Sequence, residues 1–249
     1  MKYINVTFPK KSNHGYLIPI GDLHLGSTAF SQRGRDLLQG YLEWVAARPN
    51  AKICLMGDIF DVATRTSPTS PFESSSSEYT RAVEIFKPFA KHIAFSLRGN
   101  HCQRLLNHAG YDPMEQFSAI IGVPYLGLSA VARFDLGREH YYGYFHHSTG
   151  GGGTLGSALN RAVKLQDIVQ GVDFYCIGHN HQLVNGSRIV YAPNSAGTAL
   201  DERRLWYIDC GSYLDYPESY AEMMMLSPGK LGSPRIRFDG KKHDVHVSM

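Results

Sequence analysis

No stretch of the chain approaches the ~18 uninterrupted apolar residues that a membrane-crossing helix needs, so a spanning protein is not expected. The opening MKYINVTFPKKSNHG lacks the charged-then-apolar pattern of an export signal. Cysteine is sparse and unpaired: Cys54, Cys102, Cys176 and Cys210 form no CxxC pair, and three of them lie in or beside apolar runs. That argues against a disulfide framework and predicts reduced, mostly buried thiols in a cytoplasmic protein with no membrane partner. Charge imbalance is small as well. A net charge of +3 does not by itself mark a nucleic-acid module, which clusters its basic residues. No internal repeat is found, and no Gly-Lys-Ser/Thr follows the run Gly150–Gly153, so there is no Walker phosphate loop. The one low-complexity stretch, Thr64–Ser77, reads as a surface loop.

What is present is ample apolar material, 43% of 249 residues, and twelve histidines that fall mostly into short motifs. The apolar content suits one large α/β domain. We expect a single domain over 1–249, with 210–249 as a strand-rich C-terminal extension.

Runs at 16–20, 53–56 and 93–97 read as strands, separated by helical spacing at Leu37–Val45 and Tyr79–Ala90. Strand–helix–strand order implies parallel pairing by right-handed crossovers. The second half is richer in strands. Residues 131–136 and 140–145 read as a hairpin turning at Gly137, and Leu155–Val169 as a helix. Strands follow at 172–177, 188–192 and 205–209, then a final hairpin over 234–238 and 243–247. Arg203-Arg204 reads as part of a charged loop, Asp201–Arg204.

Five short motifs each follow a strand: Asp22-Leu23-His24, Gly57-Asp58-Ile59-Phe60-Asp61, Gly99-Asn100-His101, His146-His147, and Gly178-His179-Asn180-His181. Sites in α/β sheets collect at the carboxyl ends of strands, so these groups are expected to converge. The glycines before Asp22, Asp58, Asn100 and His179 would let the chain turn sharply there and bring the backbone close to an ion. Imidazoles with carboxylates suit divalent manganese, iron, zinc or nickel, whereas a cysteine-rich set would have pointed to structural zinc. Two ions ~3.5–4 Å apart can clamp the attacking and leaving oxygens of a displacement at phosphorus. Any one motif is weak, since an aspartate after a strand is commonly just a helix cap. Five in order carry the reading.

In that order the motifs resemble those of the calcineurin-like metallophosphoesterase superfamily: DxH, GDxxD, GNH, a lone His, then GHxH. The resemblance runs from Asp22 to His181, and His147-Ser148-Thr149 with its glycines is similar to a segment of phage and prophage members. It implies a four-layer αββα sandwich of two mixed sheets flanked by helices. It implies a metal-dependent phosphoesterase acting through a metal-bridging hydroxide. It also implies two divalent ions, manganese first, with iron, zinc, nickel or magnesium as alternatives. Asp22, His24, Asp58 and His181 would hold one ion; Asn100, His147 and His179, with Asp58 as the bridge, would hold the other. Asp58 and His101 are the implied catalytic residues, His101 protonating the leaving oxygen, and Asp61 would orient its neighbours. Ser148 favours His147 over His146 as the lone ligand, because a small residue usually follows it.

Cys102 departs from the acidic residue usual after GNH. His24-Leu25 and Asp61-Val62-Ala63 depart from the protein-phosphatase pattern. The implied substrate is a phosphate ester, with nucleotide or nucleic acid among the options. The alternatives are a DNA- or RNA-cleaving nuclease of the same superfamily and a metal-binding scaffold without turnover. Arg98 and Arg104 are candidate phosphate grips, although ion pairing is the commoner use of arginine. Tyr213 and Tyr216 are expected in the core or at a rim.

Overall fold

The computed structural model describes residues 1–63, 74–149, 154–194, 196–223 and 225–249. In chain order its first half holds β1 (Lys2–Thr7), β2 (His14–Ile20), α1 (Gln32–Ala46), β3 (Ala51–Leu55), α2 (Ser75–Phe86) and β4 (Ile93–Ser96). Next come α3 (Asn100–Ala109), α4 (Pro113–Ile121), β5 (Ser129–Leu136), β6 (Glu139–His146), α5 (Leu155–Lys164) and β7 (Phe174–Ile177). The chain closes with β8 (Leu183–Pro193), β9 (Leu200–Cys210), a short α6 (Tyr220–Met223), β10 (Arg235–Asp239) and β11 (Val245–Ser248).

These form two mixed sheets, ordered β11-β10-β2-β3-β4 and β1-β5-β6-β7-β9-β8. β2, β3 and β4 pair in parallel, as strand–helix–strand order requires, and so do β6, β7 and β9. Three apolar clusters separate four layers. Leu17, Cys54 and Phe95 meet Phe134, Phe145, Phe174 and Ile208 between the sheets. On the outer face of the first sheet, Ile18, Ile53 and Leu55 bury Leu38 and Leu42 of α1, Phe86 of α2 and Phe117 of α4. On the outer face of the second, Tyr144, Tyr175 and Tyr207 bury Ala162 of α5. Neighbouring β2 residues face opposite ways, Leu17 to the other sheet and Ile18 to the helices, so the strand is apolar on both faces. The fold is the αββα sandwich expected from the sequence. Among the described residues no helix is long and apolar enough to cross a membrane.

Several local expectations need correction. Residues 201–204 are not a loop: they lie in β9 and pair with 189–192 of β8 in a long hairpin. Their charged side chains look outward, which is why period-two burial was not legible there. Ser75–Ser77 form the first turn of α2, capped by Ser74, while 64–73 of the expected loop fall outside the described residues. α2 stops at Phe86 and the chain tightens into a 3₁₀ turn over Lys87–His92, because Pro88 cannot donate the next helical hydrogen bond. The helix from Leu155 likewise ends at Lys164, with a 3₁₀ turn over Leu165–Asp167. Strand β1 and helices α3 and α4 were not anticipated. β1 pairs in parallel with β5, using a segment read only for its lack of an export signal.

The β10–β11 turn is tied to the second sheet through His243. Its Nε2 lies 2.8 Å from Asp173 Oδ1, its Nδ1 3.5 Å from Glu139 Oε2, and its ring stacks on Tyr141 at 4.6 Å. The hydrogen bond to Asp173, helped by the Glu139 charge, raises its pKa above the ordinary value. A raised folded-state value contributes stability that is full below the unfolded histidine's ~6.5 and is lost as pH rises through the folded value. The melting-temperature difference between the parent and His243→Gln should therefore shrink as pH is raised past neutrality. A difference that stays constant with pH would contradict this tie.

Candidate metal centre

The five motifs lie on loops that leave the carboxyl ends of β2, β3, β4, β6 and β7, where the two sheets meet. The first two loops continue side by side beyond their strands. Asp22 N–H donates to Gly57 O, His24 N–H to Asp58 O, Leu25 N–H to Ile59 O, and Asp61 N–H back to Leu25 O, all within 3.1 Å. The ladder holds Asp22, His24 and Asp58 in one register.

Among the four glycines, only Gly57 makes the turn expected of it. Asp22, His24, Asp58, His179 and His181 themselves take positive φ, between 46° and 79°. Asp tolerates the left-handed region better than most residues and His does so too, yet the region still costs an ordinary L-residue about 1–2 kcal/mol. Five such residues outweigh what any one hydrogen bond offsets, about 0.5–1.5 kcal/mol. Only the surrounding network can hold them. Of the preceding glycines, Gly57 alone has positive φ; Gly99 is needed for space, since a Cβ there would lie 2.0 Å from Asp58 Oδ1.

Each aspartate is held by one oxygen and leaves the other bare. Asp22 Oδ2 accepts the His179 N–H at 2.9 Å, and Asp58 Oδ1 accepts the His101 N–H at 3.0 Å, at the N-terminus of α3. Asp22 Oδ1 and Asp58 Oδ2 are buried and have no hydrogen-bond partner. Both bare oxygens face imidazoles. Asp22 Oδ1 is 3.9 Å from His24 Nε2 and 3.4 Å from His181 Nε2, and the two ring nitrogens are 3.3 Å apart. Asp58 Oδ2 is 3.1 Å from His147 Nε2 and 3.9 Å from His24 Nε2, so it stands between two groups. Asp22, His24 and His181 form one group that could hold an ion; Asp58, His147 and His179 form another, with Asn100 Oδ1 2.9 Å from His147 Nε2. Ligand bonds of about 2.1 Å place donor atoms roughly 3–4 Å apart on one ion, so the donor set fits.

The rings are oriented from behind. His24 Nδ1–H donates to Asp61 Oδ1 at 3.2 Å and His147 Nδ1–H to the Met56 carbonyl at 2.8 Å, which turns each Nε2 inward. Burial pushes the Asp58 carboxyl up, but the charges of His147 and His101 carry it well below its ordinary value. Burial opposes the charging of His147 too, yet Asp58 raises it to about 9. Burial takes His179 down to about 4. An ion entering the second group would therefore displace the His147 proton.

His101 lies outside these two groups, although with His24 and Asp58 it forms a third cluster close enough to hold an ion. Its Nδ1–H is hydrogen-bonded to the Asp61 carbonyl, and its Nε2 faces inward, 4.0 Å from Asp58 Oδ2. Burial lowers its pKa, partly opposed by the Asp58 charge. Arg104 Nη2 is within 3.5 Å of the same carbonyl and 3.3 Å from that of Val62.

The structure thus brings Asp22, His24, Asp58, Asn100, His101, His147, His179 and His181 together. Strand alternation explains the choice at 146–147: Phe145 enters the inter-sheet core, His146 turns away to accept the Ser148 N–H at 2.7 Å, and His147 turns inward. Arg98 is engaged elsewhere, paired with Asp112 at 2.9 Å, and Tyr213 is a core residue hydrogen-bonded to Ser233. Cys102 is buried against the helical layer. Gly150–Gly153 lie outside the described residues.

Sequence reasoning gave no role to Asn180 or to Asp209. Asn180 Nδ2 donates to Asp209 Oδ2 at 2.8 Å, while Asn180 Oδ1 accepts from Arg161 at 2.7 Å, pinning the loop between His179 and His181. Burial pushes the Asp209 carboxyl up to about 8. Its signal was the same as for the ligands, a carboxylate at a strand's carboxyl end, but no spacing rule singled it out.

No family model matches the chain, and no curated protein matches it. Solved structures similar in fold include Yfce, a phosphoesterase from E. coli, at 12% identity and TM-score 0.45, covering 94% of this chain and 98% of that one. A metallophosphoesterase from Sphaerobacter thermophilus aligns at 13% identity and TM-score 0.43, covering 94% and 86%. A nuclease, MPE, from Pseudomonas putida aligns at 12% and TM-score 0.37, covering 88% and 83%.

Proposed function

We propose that the protein is a phosphoesterase dependent on two divalent metal ions, hydrolysing phosphodiester or phosphomonoester bonds. The observation that carries this reading is the pair of buried, unpartnered oxygens, Asp22 Oδ1 and Asp58 Oδ2, facing inward-turned imidazole nitrogens. Buried carboxylate oxygens need a cation beside them, and where several inward-turned imidazole nitrogens converge on them a metal ion can take the place of the histidine protons. Asp22, His24, Asp58 and His181 would hold one ion, and Asp58, Asn100, His147 and His179 the other. Manganese is the ion we favour, with iron, zinc, nickel and magnesium as alternatives, because mixed imidazole and carboxylate donors admit several divalent ions. Two ions there would supply Lewis acidity at the phosphoryl group and a nucleophile drawn from water near neutral pH.

The chain's own residues do the rest. Asp58 lies between the two groups and fixes their separation. His101, its Nδ1 engaged, offers Nε2 to the departing oxygen, and its lowered pKa makes it a ready proton donor once protonated. His101 and His181 keep 19% and 31% of their side chains exposed, so a substrate reaches the centre past these two rings. Nucleotides, small phosphodiesters and nucleic-acid ends are the substrate classes with chemistry to match. We place the whole of 1–249 in one domain, because β10 pairs with β2 inside the first sheet.

The test is hydrolysis of bis-p-nitrophenyl phosphate and of p-nitrophenyl phosphate by chelator-treated protein with and without Mn2+. Turnover of at least one ester that depends on added metal is expected. Folded, metal-loaded protein inert toward both would contradict the reading.

A further inference from the structure

The ladder joining the first two ligand loops ends at Asp61 N–H and Leu25 O. The next rung would need a partner for the Val62 N–H, and the chain supplies none from the facing loop. Instead Glu78, in the first turn of α2, reaches in with its carboxylate. Glu78 Oε2 accepts the Val62 N–H at 2.9 Å, and the residue is 1% exposed. Its other oxygen occupies the space beside Gly26, where a Cβ would lie 2.4 Å from Oε1.

Val62 needs such a hold. Its φ is +44°, and unlike the Asp and His residues that share this region it is β-branched, for which left-handed backbone is a genuine outlier. Strain of this kind persists only where neighbours over-determine it. What depends on it is Asp61, one residue back. The Asp61 carbonyl accepts the His101 Nδ1–H, and the Asp61 carboxylate accepts the His24 Nδ1–H at 3.2 Å.

We propose that Glu78 is a positioning residue that locks Val62 in the left-handed conformation, so that Asp61 holds His101 and His24 with their Nε2 atoms turned into the metal centre. Its functional meaning rests on the metallophosphoesterase reading above, while its structural content does not. Glu78 touches neither ion nor substrate; it acts through the backbone of 61–62.

The experiment follows the imidazole 15N and 1H signals of His101 and His24 in the full-length, metal-free protein, together with Mn2+ affinity. In the parent, both rings should show the Nδ1–H form. In Glu78→Ala the His101 and His24 signals should move toward a mixture of forms, with Mn2+ affinity ~10–100-fold lower, the usual loss when a residue orienting a ligand is removed. Glu78→Gln keeps an acceptor oxygen at the same reach and should restore both readouts. Glu78→Asp keeps the charge but is one methylene short, and should behave like Glu78→Ala; it also serves if the alanine variant does not fold. Adding Val62→Gly to Glu78→Ala should recover part of the Nδ1–H signal, because glycine adopts positive φ without Glu78. Parent-like ring signals in both Glu78→Ala and Glu78→Asp would overturn the proposal, as would Glu78→Gln matching Glu78→Ala. If the ring signals respond as expected while the parent binds no Mn2+, the positioning role stands and the metal reading falls.

Discussion

Asp58→Asn should lower kcat/KM by at least ~10³-fold, the largest single loss expected anywhere in the chain, because one substitution damages both metal groups. Asp58 Oδ2 is the one bare oxygen within 4.0 Å of His24, His101 and His147 at once. An amide is close to isosteric and can still accept the His101 N–H, so the loss would not reflect a misfolded loop. It removes the negative charge that raises His147 and draws cations together. The same substitution at Asp61 should be milder, since Asp61 acts on His24 only through Nδ1. Steady-state kinetics with Mn2+ on the two variants check the ranking. Equal losses would show that Asp58 has no bridging role.

His101→Ala should lower kcat by ~10²–10⁴-fold, the range for removing a positioned proton donor, while leaving metal content unchanged. In our reading the ring lies outside both ligand sets, so no ion loses a ligand, and a fall in metal content would instead place an ion in the cluster His101 forms with His24 and Asp58. The loss should be steep for esters with poor leaving groups and shallow for p-nitrophenyl esters, whose leaving oxygen needs little protonation. A comparison of p-nitrophenyl with alkyl esters separates this role from simple binding. A uniform loss across leaving groups would instead assign His101 to steadying phosphoryl charge. Unchanged turnover would remove it from the reaction.

How much of this was legible beforehand follows from range. The ligand loops could be read because a strand, a glycine and a ligand residue are consecutive in sequence, so local pattern carries them. The parallel core of β2, β3 and β4 was legible for the same reason. β1 was not, because it is mostly exposed, with only Ile4 and Val6 turned inward, and becomes a strand only by pairing with β5, more than a hundred residues away. The outer half of β8 was read as a strand at 188–192, but its partner in β9, residues 200–204, was missed, since every residue there is exposed and leaves no burial to reveal a period.

Within the site, residues that touch the ions in our reading belong to recognisable motifs, as does Asp61 behind His24, whereas other supporting residues do not. Glu78 and Asp209 act from other elements, and nothing near them in sequence marks the distant group they bond. Which of the two expected roles each glycine plays was not legible for a related reason. Close approach and positive φ both call for glycine, and only three dimensions separate Gly57, which turns, from Gly99, which makes room.

The central claim is that one chain holds two divalent ions around Asp58. Elemental analysis of folded protein after Mn2+ reconstitution and removal of free metal tests it most directly, with Asp58→Asn run in parallel. The account predicts about two ions per chain for the parent and fewer than one for the variant. One ion or none in the parent, or two retained in Asp58→Asn, would contradict it.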